Sequence, residues 1–238
     1  VFGSVAAAYD RLRPGYPDAA VDWLLDPAAR TVAEIAAGTG KLTDSLVARR
    51  LTVVAVEPDA AMLAVLRRRH PTVTAHRAPA EQLPLADASV DAVVVAQAWH
   101  WFDPVRAWSE VRRILRPGGR LGLIGHIPTP TQPWEHELAA MDLSRPAPVD
   151  PHAGPEPDAP GPAGVRTETA SFPWVRRITP DDLAELYGTY SAYAVLPPAE
   201  RRRRLMALAA VARAEAHRRG TATVPLTSLV RVDRVYPD

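Results

Sequence analysis

The chain has 238 residues, 47% of them apolar and 23% charged, a formal net charge of +1 and no cysteine. This is the composition of a folded globular protein, and it excludes disulfides, thiolate metal ligands and cysteine nucleophiles. The balanced charge gives no electrostatic case for nucleic acid, and no apolar run approaches the roughly 18 residues of a membrane helix.

With no signal peptide at its start, a cytoplasmic location without membrane association is expected. Val1 rather than Met opens the chain, so a few leading residues are expected to be missing. One domain over 1–238 is expected, in four parts: an N-terminal segment 1–30, an alternating core 31–126, an insertion 127–168, and C-terminal strands and helices 169–238.

In the core, "TVAEIA" (31–36) is an apolar strand that runs into a glycine turn, and "KLTDSLVARR" (41–50) places Leu42, Leu46 and Val47 on one helical face. "LTVVAVE" (51–57) is β-branched, and Asp59 caps a helix through "AAMLAVLRRR". "TVTAHR" (72–77) and "VDAVVVAQ" (90–97) read as strands, the second mostly buried. Residues 103–115 carry Val105, Trp108, Val111, Ile114 and Leu115 at helical spacing, "RPGG" (116–119) stops that helix, and "RLGLIGH" (120–126) is a strand. Such alternation implies a parallel sheet covered on both faces.

Beyond 126 a short helix is expected around "PTPTQPWEHELAAMD". Seven prolines over 144–164 predict a mobile surface loop, placed to close over bound substrate. "TASFPWVRR" (169–177) reads as a strand whose Pro173 favours an edge or a bulge. Helices are expected at about 180–190 and 198–219, and "TATVPLTSLVRVDRV" (221–235) closes the fold as a strand.

The turn "EIAAGTGKLT" (34–43) admits three ligand types. A P-loop needs a hydroxyl after Gly40-Lys41, where Leu42 stands, and a glycine at Ile35. A dinucleotide turn fits Gly38 and Gly40 but meets Thr43 in place of its third glycine. A nucleoside turn for S-adenosylmethionine fits best. Glu34 ends the first strand, small residues follow, and Glu57 ends the second strand, where a carboxylate accepts two ribose hydroxyls in charge-assisted hydrogen bonds. Ala80 and Glu81 lie on the loop after the third strand, able to line an adenine edge. The fourth strand delivers Gln97, Trp99, His100 and Trp101 to the crevice at its C-terminal end.

These residues resemble the class I S-adenosylmethionine-dependent methyltransferases, and within them the type 11 small-molecule group. "EIAAGTGKLT", "VAVEPDAAM", "AEQLPLADASVDAV" and "VRRILRPGG" are similar to successive motifs of that family. "FGSVAAAYDRLRPGYP" and "QAWHWF" are similar to a narrower trans-aconitate methyltransferase-like subgroup.

The resemblance implies an α/β, Rossmann-like doubly wound sheet of seven strands in order 3-2-1-4-5-7-6, the last antiparallel, with a helical cap. It implies S-adenosylmethionine as cofactor, surrounded by Glu34, Ala36, Gly38, Thr39 and Gly40. Glu57 would sit on the ribose with Pro58, Asp59 and Met62 nearby, Ala80 and Glu81 at adenine, and Gln97 at the floor. Tyr9, Arg13 and Tyr16 would fold over the site from the N-terminal lid; the alternative is that they anchor a terminal helix. Two departures stand out. Ala36 replaces the turn's usual first glycine, and Pro79 stands where many relatives carry Asp.

Methyl transfer needs positioning, with no metal and no covalent nucleophile, and well-aligned reactants are worth about 7–11 kcal/mol. His100 could take a proton from a hydroxyl or amine acceptor, or only orient the acceptor. Tyr16, Trp99, Trp101, Trp134 and Tyr190 are candidates for the substrate wall, with core packing the rival role for the tryptophans. The partner expected is a small molecule, and oligomeric state is not legible. Competing readings are a non-methylating S-adenosylmethionine enzyme, an NAD-dependent oxidoreductase, and a binding protein without turnover.

Overall fold

The computed structural model describes residues 6–143 and 165–237; the proline-rich 144–164 segment lies outside the described residues. Seven strands, β1 (Thr31–Ile35), β2 (Thr52–Val56), β3 (Thr74–His76), β4 (Val90–Ala96), β5 (Leu115–Pro128), β6 (Arg166–Ile178) and β7 (Val224–Tyr236), form one sheet in the order β3-β2-β1-β4-β5-β7-β6. This is the predicted order. β1 pairs in parallel with β2 and β4, as do β2 with β3 and β4 with β5. β6 and β7 are antiparallel, since Glu168 meets Tyr236 near one end and Arg177 meets Thr223 near the other.

The described residues fall into two compact units. The first contains residues 14–126, 165–172 and 230–237. It holds α2 (Asp18–Leu24), α3 (Lys41–Ala48), α4 (Ala60–Arg69), α5 (Pro104–Ile114) and the parallel strands. Strands β1 and β4 are buried almost without interruption, because a parallel sheet has no wet face. Ala33, Ile35, Val93, Val95, Trp108, Val111, Ile114 and Leu121 meet in its core. Each such large apolar side chain contributes about 1.5–3 kcal/mol on burial. Gly122 has no room to grow, since an added methyl would stand 2.4 Å from Leu24 Cδ1.

Local chemistry sets the element ends. Asp59 accepts from the backbone N–H groups of Ala61 and Met62 and caps α4, and Asp103 does the same for α5 through Val105 and Arg106. Helix α5 stops at Ile114, and Arg116–Gly119 belongs to β5 instead of to a turn outside the sheet. The β4–β5 register moves from Val90↔Leu115 to Ala92↔Arg120 across that stretch. Gly118, at φ +78°, makes the bulge possible.

The second unit contains residues 6–13, 127–143 and 173–229. It holds α1 (Ala6–Leu12), α6 (Pro133–Met141), α7 (Pro180–Gly188), α8 (Ser191–Ala194) and α9 (Pro198–Arg219). Its own core gathers Leu12, Trp134, Leu138, Leu183, Leu186, Tyr193 and Leu208. Pro173 lies in β6, the edge strand of the sheet, where its missing N–H does least harm. No helix among the described residues is long and apolar enough to cross a membrane.

Candidate functional site

The glycine turn joins the C-terminal end of β1 to α3 and is pinned from three sides. Ala37 N donates to Val56 O at 3.1 Å, tying the turn to the tip of β2, and Gly40 N closes it on Ala37 O at 2.9 Å. Ala36, Gly38 and Gly40 all have positive φ, at 53°, 58° and 90°. The alanine therefore occupies a conformation that glycine adopts freely, and it carries a strain of about 1–2 kcal/mol.

Glu57, just past β2 and buried, braces the turn. Its Oε2 accepts from Gly38 N and its Oε1 from Asp59 N, both at 2.8 Å. Burial raises its pKa, while these two N–H groups oppose the rise. Each oxygen keeps a lone pair for a further donor.

Glu34 lies at the other side of the turn, 1% exposed. Its Oε2 accepts from Thr43 Oγ1 at 2.5 Å, and its Oε1 is buried with no hydrogen-bond partner among the described residues. Burial, opposed by the Thr43 hydroxyl, pushes its pKa up to about 8. Thr39 Oγ1 is likewise buried without a hydrogen-bond partner among the described residues. Two orphaned polar atoms in one turn are unusual and call for a ligand or an ordered water. An added Cβ on Gly38 would meet nothing within 4 Å, so the turn borders open space. The residues present therefore fit S-adenosylmethionine: carboxylates for its hydroxyls and ammonium, and room against backbone.

Part of this site was not foreseen. Arg69, at the end of α4, donates from Nη1 to Thr39 O at 2.8 Å and from Nη2 to Asp44. His70 Nε2 lies 3.0 Å from Asp44 Oδ1. An added Cβ on Gly40 would stand 3.1 Å from the His70 ring. Thr43, expected only as a missing glycine, is the hydroxyl that holds Glu34. Nothing local marks Arg69 or His70, because their partners lie about 30 residues earlier in the chain.

The other expected residues have definite places. Pro58 follows Glu57, and its carbonyl accepts from Arg77 Nε at 3.1 Å. Met62 is 3% exposed on α4, and Ala80 belongs to the core of its unit. Glu81 Oε1 accepts from Asp103 N at 2.9 Å, fixing the start of α5. Gln97, at the end of β4, has a positive φ of 54° and donates its N–H to Ile124 O. Trp99–Trp101 form a 3₁₀ turn in which Trp99 is buried against Phe102, while His100 is exposed and Trp101 is 59% exposed. Tyr16 stacks on His126 at 5.1 Å.

Tyr9, Arg13, Trp134 and Tyr190 belong to the helical unit. There Trp134 is buried in the core, and Arg13 lies over the rings of Tyr9 and Tyr190.

The methyltransferase-domain family model matches residues 33–123, which include the turn, both acids and β4. An uncharacterized methyltransferase of Mycobacterium tuberculosis is 46% identical over 200 residues, covering 84% of this chain and 79% of the relative. An uncharacterized methyltransferase-like protein of Schizosaccharomyces pombe is 32% identical over 207 residues, covering 84% and 81%. A solved structure from Anaeromyxobacter dehalogenans, described as a type II methyltransferase, superposes with a TM-score of 0.69 at 31% identity, covering 94% of this chain and 97% of that one.

Proposed function

The chain belongs to the S-adenosylmethionine-dependent methyltransferases, and on that premise we propose that it methylates an oxygen, nitrogen or carbon atom of a small metabolite. One observation carries the cofactor assignment. Glu57 is hydrogen-bonded into the glycine turn at Gly38 while each of its oxygens retains acceptor capacity. The likeness of "FGSVAAAYDRLRPGYP" and "QAWHWF" to a trans-aconitate methyltransferase-like subgroup supports the small-metabolite reading.

In this reading Glu57 receives the two ribose hydroxyls, Met62 and Ala80 supply apolar walls, and Glu81 flanks adenine. Glu34 Oε1 and Thr39 Oγ1 are the acceptors for the ammonium of the methionine part. Bound there, S-adenosylmethionine supplies an electrophilic sulfonium methyl group.

The protein's own contribution is alignment and exclusion of water, a task for rigid backbone more than for acid–base groups. The pinned turn meets that requirement, with every residue from Ala36 to Gly40 either hydrogen-bonded or flanked by one that is. His100 lies on the 3₁₀ turn beyond β4, where it accepts a proton from a hydroxyl or amine acceptor.

Calorimetric titration with S-adenosylhomocysteine tests the cofactor assignment. Binding that weakens sharply in Glu57→Ala is expected, and no heat at millimolar ligand from folded protein refutes it. Incubation with S-adenosylmethionine and a metabolite mixture, followed by mass spectrometry for a gain of one methylene, tests the transfer.

A further inference from the structure

The helical unit carries a separate concentration of chemistry, built on two arginines. Arg13 follows α1, and its backbone N–H donates to Tyr9 O at 2.9 Å. Its guanidinium carbon lies 4.2 Å from the centroid of Tyr190 and 5.0 Å from that of Tyr9. Its Nε donates to Thr189 Oγ1 at 3.1 Å and its Nη2 to Thr189 O at 3.4 Å. Arg176, on β6, donates from Nη1 to Leu12 O at 2.6 Å, the carbonyl next to Arg13. Burial, and the neighbouring charge of Arg13, hold the Arg176 guanidinium below its ordinary pKa against the opposing influence of Tyr190 and Asp182.

Among the described residues, neither arginine has a carboxylate within salt-bridge distance. Other arginines of the same unit do: Arg11 sits on Asp182 and Glu185, Arg213 on Asp181, and Arg219 on Glu215. Asp182, the acid that acts on Arg176, is already engaged by Arg11 at 2.5 Å and by Thr179. A guanidinium has five N–H donors; Arg13 spends two on the described residues and Arg176 one. Two like charges, half-buried together with most donors unspent, are costly unless an anion joins them. Tyr190 is half-buried beside them, with Arg13 over its ring and the charges of both arginines acting on its hydroxyl.

We propose that Arg13, Arg176 and the Tyr190 hydroxyl form a carboxylate-binding site for a small acid whose apolar body lies beside the aromatic rings. A guanidinium fork matches a planar carboxylate. Tyr9 and Tyr190 provide flat apolar surface, and the buried Tyr187 backs Tyr190 with ring centroids 5.1 Å apart. Asp182 acts on Arg176 and Asp142 on Tyr190, so a single negative charge suits the site better than a doubly charged phosphate. The site stands on the helical unit alone and does not depend on the identity of the cofactor.

Calorimetric titration of the full chain with benzoate, benzamide and inorganic phosphate tests the proposal. Benzoate is expected to bind with a Kd of about 1 mM or tighter, with neutral benzamide undetectable and phosphate weaker. Arg176→Gln is expected to weaken benzoate about tenfold or more, and Arg176→Lys by less, since a lysine keeps charge but not the fork. Tyr190→Phe is expected to weaken it several-fold without loss of the fold. Thermal unfolding of each variant reports the fold, and Tyr190→Phe decides where Arg176→Gln does not fold.

Titration of the wild-type protein with S-adenosylhomocysteine is the separate measure of the glycine turn. Its failure beside intact benzoate binding counts against the cofactor assignment only. The carboxylate site is overturned by absent benzoate binding, by equal affinity for benzamide, by tighter binding of phosphate, or by unchanged affinity in the folded variants.

Discussion

Glu57 and Gly38, 19 residues apart, are joined by a hydrogen bond of 2.8 Å from the glycine N–H to the carboxylate. This one bond couples the tip of β2 to the turn after β1. Glu57→Ala removes the acceptor for both Gly38 N and Asp59 N, and with it the acceptor proposed for the two ribose hydroxyls. A charge-assisted hydrogen bond is worth about 1.5–3 kcal/mol, so affinity for S-adenosylhomocysteine is expected to fall at least about a hundredfold by calorimetry. Glu57→Gln, which keeps one acceptor oxygen, is expected to lie between.

Glu34 tests the turn by pH. Its folded pKa of about 8 stands above the ordinary 4.5, so the folded state holds a proton that the unfolded chain gives up. The stability that this proton represents is fully present below pH 4.5, declines as pH rises, and is gone above about 8, where both states are ionised. Glu34→Gln has no proton to lose. Its thermal midpoint is expected to match the wild type at pH 4.5 and exceed it at pH 8, while its affinity for S-adenosylhomocysteine falls. A variant that loses midpoint at pH 8 would show that the ionised carboxylate stabilises the fold.

Ala36 carries strain that glycine would release. At φ 53° its Cβ crowds the backbone, and Ala36→Gly is expected to raise stability by up to about 1 kcal/mol, the left-handed penalty less the entropy that glycine adds to the unfolded chain. Urea unfolding measures it. Lower stability would mean that the methyl group packs usefully in the turn.

Arg69 is a positioning residue for the same turn, through Thr39 O and Asp44. Arg69→Ala is expected to raise the KM for S-adenosylmethionine about tenfold with a smaller change in kcat, because the arginine shapes the turn without touching reacting atoms. Arg69→Lys should recover part of the loss. Equal loss of kcat and kcat/KM would place Arg69 in the chemistry itself.

The strand–helix alternation and the two acids were legible because both are written locally, whereas the strand order came with the family resemblance. β-Branched runs alternate with helical periods, and Glu34 and Glu57 each stand where a strand ends. What escaped the sequence is mostly distance. Arg69 grips Thr39 across 30 positions, and Arg176 reaches Leu12 across 164. The bulge at Arg116–Gly119 escaped for another reason. "RPGG" does follow the end of a helix, but β5 already begins at Leu115 and runs through the motif, with Gly118 at positive φ. Thr43 was legible as a residue and not as a role, since its hydroxyl acquires meaning only once Glu34 is buried beside it.

Glu135 governs the helical unit in acid. It is 3% exposed at the start of α6, where Oε2 accepts from Thr131 N, Thr131 Oγ1 and Gln132 N, and Oε1 accepts from Thr227 N at 2.7 Å. Burial works to raise its pKa, but these donors together outweigh burial and set it below the ordinary value of 4.5. The stability it provides is therefore present above the unfolded pKa and is lost as pH falls through the depressed folded value. Glu135→Gln cannot accept at both oxygens and is expected to cost about 1–3 kcal/mol at pH 7, with the difference from wild type shrinking below pH 4.5. Denaturant unfolding at pH 7 and pH 4 measures both arms. A deficit that stays constant across that range would mean that shape at Glu135, and not its charge, joins α6 to β7.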